Sequence, residues 1–224
     1  MKIDGYQMAQ PPLIICFGDS LTVGYQSPTP DCSHVVETPY GMFLQERLGS
    51  QAKVAVSGIC GEVTGDMVLR FRQDVLRHNP AFVVILGGSN DLGWGASPIE
   101  IMRNLLKMYT LAQAAGIRLV AVTVPSVRLA GGVEEARWTK ELIAQRQSLN
   151  RQISEYCSVQ GVACVDLFTA TADPVTLELA AECSNDGLHL TTEGYQRFAT
   201  LLFDQVFAPA FGDAGRQYGE KALG

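Results

Sequence analysis

The 224-residue sequence has little charge and no surplus of positive charge. Charged residues make up 18% of it, and 23 acidic against 17 basic side chains leave a formal net charge of -6. A shortage of Lys and Arg works against nucleic acid as a partner, because that affinity depends on cations displacing counterions from phosphates. Also missing is an apolar stretch long enough for a membrane span. The first residues, Met1 to Pro12, carry Lys2 and Asp4 followed by polar residues and hold no signal-peptide core. No stable membrane insertion and a cytoplasmic location are therefore expected. None of the six cysteines (Cys16, Cys32, Cys60, Cys157, Cys164, Cys183) stands in a CxxC pair, so without an export signal reduced thiols are expected. There is no internal repeat and no low-complexity block.

What is present is apolar material for a core. Hydrophobic residues make up 47% of the chain, which suits one compact α/β domain spanning 1–224. Short β-branched runs recur at Leu13 to Phe17, Lys53 to Val56, Phe82 to Leu86, Leu119 to Val124 and Val162 to Leu167. Each reads as a buried strand. Between them apolar residues fall at helical spacing, as in Met67, Val68, Phe71 and Val75, then Ile101, Leu105, Met108 and Leu111. Ser97-Pro98 and Gly116 punctuate the second of these helices, and Thr191 opens a last one running to about Phe207. The core is expected over about 13–208, with 209–224, rich in glycine and without apolar periodicity, as a mobile tail. Such alternation gives a parallel sheet whose strand C-termini share one edge, where ligand crevices form.

Four segments carry chemistry, three of them directly after predicted strands. Gly18-Asp19-Ser20-Leu21 puts a serine at a strand-to-helix turn, where its own N–H and the helix N-terminus can stabilise an oxyanion; Asp19 or Ser20 as a plain helix cap is the alternative. Gly61, in the small-residue turn Ser57 to Glu62, can offer a bare N–H or can be an ordinary turn glycine. Asn90, in Gly87-Gly88-Ser89-Asn90-Asp91, supplies an amide that donates without titrating, or else an Asx turn. Asp186-Gly187-Leu188-His189 offers a base and its orienting carboxylate, or a fragment of a metal site. The same spacing recurs at Asp31 and His34 in the long loop from Tyr25 to Pro39, so spacing alone does not choose between the two pairs. His34 defaults to a solvated loop residue, and His78 to a helix end.

Taken together, the four blocks resemble the SGNH hydrolase family, the GDSL esterases and lipases, over about residues 13 to 205. That resemblance selects Asp186 and His189 over the earlier pair, because the family's Asp-x-x-His lies near the C-terminus. It implies a flavodoxin-like three-layer α/β/α sandwich with a five-stranded parallel sheet in the order 2-1-3-4-5. It also implies a Ser20, His189 and Asp186 triad, an oxyanion hole from the Ser20 N–H, the Gly61 N–H and the Asn90 side chain, and neither metal nor cofactor. The second block departs from the family in lacking an Asn shortly before the glycine, reading Val56-Ser57-Gly58-Ile59-Cys60-Gly61. The expected partner is a small-molecule ester, cleaved through an acyl-enzyme. Asp19 and Trp94 are further candidates for substrate contact, with Leu129 and Trp138 in the loop Pro125 to Trp138. An acyltransferase or thioesterase on the same scaffold is the nearest alternative. A phosphate-binding flavodoxin-like module, or a metal-dependent phosphatase using Asp19, Asp91, Asp186 and His189, is more distant.

Overall fold

A computed structural model describes residues 10–212. Seven strands run in chain order as β1 (Leu13–Gly18), β2 (Tyr25–Gln26), β3 (Val36–Glu37), β4 (Lys53–Gly58), β5 (Phe82–Leu86), β6 (Arg118–Val122) and β7 (Ala163–Val165). The helices are α1 (Ser20–Val23), α2 (Tyr40–Leu48), α3 (Thr64–Asp74), α4 (Ser89–Gly93), α5 (Pro98–Ala114), α6 (Val133–Gln160), α7 (Leu167–Thr171), α8 (Thr192–Leu202) and α9 (Ala208–Gly212). Five strands pair in parallel in the order β4-β1-β5-β6-β7. Numbered among themselves these are 2-1-3-4-5, the expected topology.

Side chains alternate across a strand, and the two faces of the sheet bury different cores. Ile14, Cys16, Val84 and Leu86 face one layer with Leu44 of α2 and Tyr195 and Phe198 of α8. Ile15, Phe17, Val83 and Ile85 face the other, with Phe71 of α3, Leu105 of α5 and Leu149 of α6. The central strand β5 is buried along its whole length, which is why its sequence is an unbroken apolar run. At α5 the punctuation works as expected: Ser97 caps the helix, its hydroxyl accepting from Glu100 N–H while the Glu100 carboxylate accepts from Ser97 N–H, with Pro98 in the first turn.

Two boundaries differ from expectation. The segment after β6 is not a loop as far as Trp138, because α6 begins at Val133 and runs for 28 residues. Its buried positions, Thr139, Ile143, Arg146, Leu149, Asn150, Ile153 and Cys157, keep helical spacing. Three of the seven are polar or charged, and they erase the apolar period that a sequence reading relies on. At the other end the chain stays helical past 209: one π turn, Phe203–Phe207, leads into α9. There Phe211 packs edge-on against Phe82 with ring centroids 5.9 Å apart. The rest of the expected tail, 213–224, lies outside the described residues, as do residues 1–9. Among the described residues no helix is long and apolar enough to cross a membrane.

Candidate active site

β1 delivers the serine. At Gly18 a Cβ would stand 2.3 Å from Leu86 O and 2.4 Å from Thr22 Oγ1, so strand and turn pack this closely only with glycine there. The Asp19 side chain accepts from Leu21 N–H at 2.9 Å and caps α1, and Ser20 occupies the first helical position. A first-turn N–H has no intrahelical acceptor, which leaves that of Ser20 free for a ligand. Asp19 itself is fully buried. Its Oδ2 finds no hydrogen-bond partner among the described residues. Burial pushes this carboxyl up to about 7; the Leu21 N–H and the charge of His189 oppose the shift, and the Asp91 and Glu62 carboxylates add to it.

The loop before α8 folds around its own carboxylate. Asp186 Oδ1 accepts from Leu188 N–H and His189 N–H, both at 2.8 Å, an Asx-type turn that brings the imidazole back over the acid. Asp186 Oδ2 lies 2.7 Å from His189 Nδ1, and His189 Nε2 lies 3.1 Å from Ser20 Oγ. Burial raises the Asp186 carboxyl, but hydrogen bonds from His189, Ser27 and the loop N–H groups outweigh it and hold the group well below the usual carboxylate range. The competing pair does not form. His34 is exposed, and its ring nitrogens lie 3.7 and 3.8 Å from Cys32 Sγ.

The two remaining blocks are joined by a hydrogen bond. Gly61 has φ +77 and open space around its α-carbon. Next to it, the Glu62 carbonyl accepts from Asn90 Nδ2 at 2.9 Å. One Asn90 amide proton thus fixes the Gly61 turn, and the other is left for a ligand. Asp91 does not point into the site: its carboxylate accepts from Thr64 N–H at 2.9 Å and from Thr64 Oγ1 at 2.5 Å, capping α3. Nor, among the described residues, do any three His, Cys, Asp or Glu side chains group to hold a metal ion.

Several residues that position this site carry no motif. Arg70 of α3 donates to Glu62, Asp74 and Ser57 and, through Nη2, to Gly18 O at 2.8 Å. Arg128 pairs its N–H with Gly187 O at 2.8 Å, and its guanidinium donates to Leu179 O and Ser184 O. Ser27 and Tyr25 reach the acid and the base from the β2–β3 hairpin. Only the i,i+4 relation of Arg70 and Asp74 leaves a trace in sequence; the other contacts join residues eight or more positions apart. The segment that follows α4 and the start of α6 line a groove of about 490 Å³, with Leu92, Ala96, Leu129, Trp138 and Leu142 among its walls. Trp94 is not part of that lining and is 83% exposed.

The model of the GDSL-like lipase/acylhydrolase family matches residues 16–197. The chain belongs to that family. An arylesterase of Vibrio mimicus is 32% identical over 114 residues, which cover 50% of this chain and 54% of the relative. The match thus spans about half the length of that curated protein. Among solved structures, a GDSL-like lipase of Bacteroides thetaiotaomicron superposes with a TM-score of 0.68 at 24% identity, covering 96% of this chain and 93% of that one. The aryl esterase of M. smegmatis gives 0.71 at 20% identity, covering 87% and 98%. An acetylxylan esterase of Geobacillus stearothermophilus gives 0.67 at 16%, covering 88% and 94%. At such identities the likeness of these structures establishes the fold.

Proposed function

We propose that this GDSL hydrolase cleaves carboxylic esters by two-step acyl transfer, with Ser20 as nucleophile, His189 as base and Asp186 as its orienting carboxylate. The observation that carries the reading is the unbroken line of hydrogen bonds from Asp186 Oδ2 through the His189 ring to Ser20 Oγ, at 2.7 and 3.1 Å. His189 takes the Ser20 proton through Nε2 as Oγ bonds to the ester carbonyl carbon. The imidazolium, held by Asp186 through Nδ1, then gives that proton to the departing alkoxide or phenoxide. Water enters on the acyl-enzyme, loses its proton to His189, and releases the carboxylic acid with Ser20 restored. The negative oxygen of each tetrahedral intermediate is stabilised by the Ser20 N–H, the Gly61 N–H and the second amide proton of Asn90.

The substrates of this reading are small neutral esters with an apolar acyl or aryl part, received by the groove of Leu92, Leu129 and Trp138. Arylesterase as the name of a relative supports the aryl choice. The test compares wild type and Ser20→Ala on p-nitrophenyl acetate, with mass spectrometry of the acyl-enzyme. Wild type is expected to turn over and to gain one acetyl group on Ser20, and the variant to do neither. Wild-type turnover by Ser20→Ala would sink the proposal.

A further inference from the structure

The carboxylate of Asp186 has one donor from a distant part of the chain. Its Oδ1 is occupied within the loop by Leu188 N–H and His189 N–H and, at 3.3 Å, by Ser184 Oγ. Its Oδ2, the oxygen that meets His189 Nδ1, also accepts from Ser27 Oγ at 2.5 Å. Ser27 lies 159 residues earlier, directly after β2, yet its placement is closely fixed. Tyr195 OH donates to Tyr25 O at 2.8 Å, and Gln26 exchanges bonds with Thr192, its Nε2 donating to Thr192 Oγ1 and its Oε1 accepting from Thr192 N–H. Three consecutive residues, Tyr25, Gln26 and Ser27, are thus each bonded to the 186–195 segment. The Tyr25 ring lies over the His189 ring, centroids 4.5 Å apart.

We propose that Ser27 is a positioning residue of the active site, whose hydroxyl shares Asp186 Oδ2 with His189 and so sets how much carboxylate charge the imidazole feels. The proposal rests on the Ser20, His189 and Asp186 reading above. The two N–H bonds to Oδ1 keep the carboxylate in place without Ser27, so loss of the hydroxyl acts on charge more than on position. A hydrogen bond donated to a carboxylate draws off part of its negative charge. Without it, Asp186 binds the imidazolium more tightly, the acid limb of the rate profile moves to higher pH, and the Nδ1 proton is pulled closer to the carboxylate. The other titratable groups around the pair are Asp19 in the β1–α1 turn, whose charge acts on His189, Tyr25, and Tyr195 of α8, whose phenol burial keeps protonated.

The test uses the full chain with Ser27→Ala and Ser27→Thr. It reads the pH profile of kcat/KM on p-nitrophenyl acetate, the thermal midpoint, and the 1H NMR resonance of His189 Nδ1–H, assigned by its absence in His189→Gln. Ser27→Ala is expected to raise the acid limb by about half a pH unit and so to lower kcat/KM about 3-fold on that limb. It should also move the Nδ1 resonance downfield, with the midpoint near that of wild type; Ser27→Thr, which keeps a hydroxyl, should restore all of these. A wild-type profile and resonance in Ser27→Ala would overturn the proposal, as would a loss of activity with no shift of limb or resonance. Failure of the triad reading is separable: active Ser20→Ala would reject that reading, while the resonance would still report whether Ser27 acts on the Asp186–His189 pair.

Discussion

Arg70 donates through Nη2 to the carbonyl oxygen of Gly18 at 2.8 Å, two residues before the serine. The same guanidinium lies 4.2 Å from the centre of the Phe17 ring and forms a two-pronged bond with Glu62, beside Gly61. One side chain therefore ties α3 to the strand end that carries Ser20 and to the turn that holds Gly61. The ion pair is largely buried, with the Glu62 side chain 6% exposed, so removing the cation leaves a carboxylate without its partner at a cost of about 3 kcal/mol. Arg70→Met should lower the thermal midpoint by several degrees and reduce kcat more than it changes KM. Arg70→Lys should recover little, because an ammonium lacks the planar fork that reaches Gly18, Ser57 and Glu62 together. Calorimetry and steady-state kinetics on both variants check this, and full recovery by lysine would show that charge alone suffices.

Kinetics can separate the bond Asn90 makes to Glu62 from its proposed oxyanion role. One amide proton goes to Glu62 O, and the other is assigned to the oxyanion. Asn90→Ala should lower kcat by about 100-fold or more with little change in KM, since the second bond strengthens only as charge develops on oxygen. An effect confined to KM would remove Asn90 from the oxyanion hole.

Gly187 is placed where no side chain fits. Its φ is +79, and a Cβ would lie 1.7 Å from Arg128 O. Gly187→Ala must move either the Arg128 strap or the turn that holds Asp186 and His189, so it should cost more than about 2 kcal/mol and most of the activity. Gly61 is the control: its φ is also positive, but nothing lies within 4 Å of where a methyl would stand. Gly61→Ala should carry only the backbone cost of about 1–2 kcal/mol. Denaturant unfolding of the two variants side by side decides between a clash and a purely conformational cost.

Strand runs and the residues at their ends are legible in the sequence because both depend on local chemistry. β5 is apolar because it is buried on both faces, and Ser20, Asn90 and His189 stand in or beside glycine-containing turns. What escapes a sequence reading depends on the partner. α6 buries Arg146, whose Nε donates to Pro125 O, so a charged residue sits where an apolar period would be sought. Asp19 stands next to Ser20 in sequence, but its burial depends on how the β1–α1 turn packs, which no local pattern shows. Trp94 stands out as an aromatic close to Asn90, while Trp138, on a helix whose start the sequence hides, lines the groove. Ser27 and Arg128 act through bonds to residues more than fifty positions away, and no local pattern marks them.

Asp19 should leave its mark on stability as a function of pH. Burial raises this carboxyl from 3.8 to about 7 in the folded chain, so between those values the folded state holds a proton that the unfolded state has released. Stability then falls as pH rises through that window, by up to about 4 kcal/mol once the group is ionised. Asp186 works in the opposite sense and in another range. Held below its ordinary value, it contributes stability above about pH 4 that is lost on further acidification. Asp19→Asn keeps an oxygen for the Leu21 N–H bond and removes the titration. Thermal midpoints taken from pH 4.5 to 8 should therefore decline for wild type relative to Asp19→Asn, with the gap levelling off above about pH 7. Parallel curves would mean that Asp19 is ionised in the folded chain across the whole window, as it is in the unfolded chain, and that its burial does not raise the carboxyl.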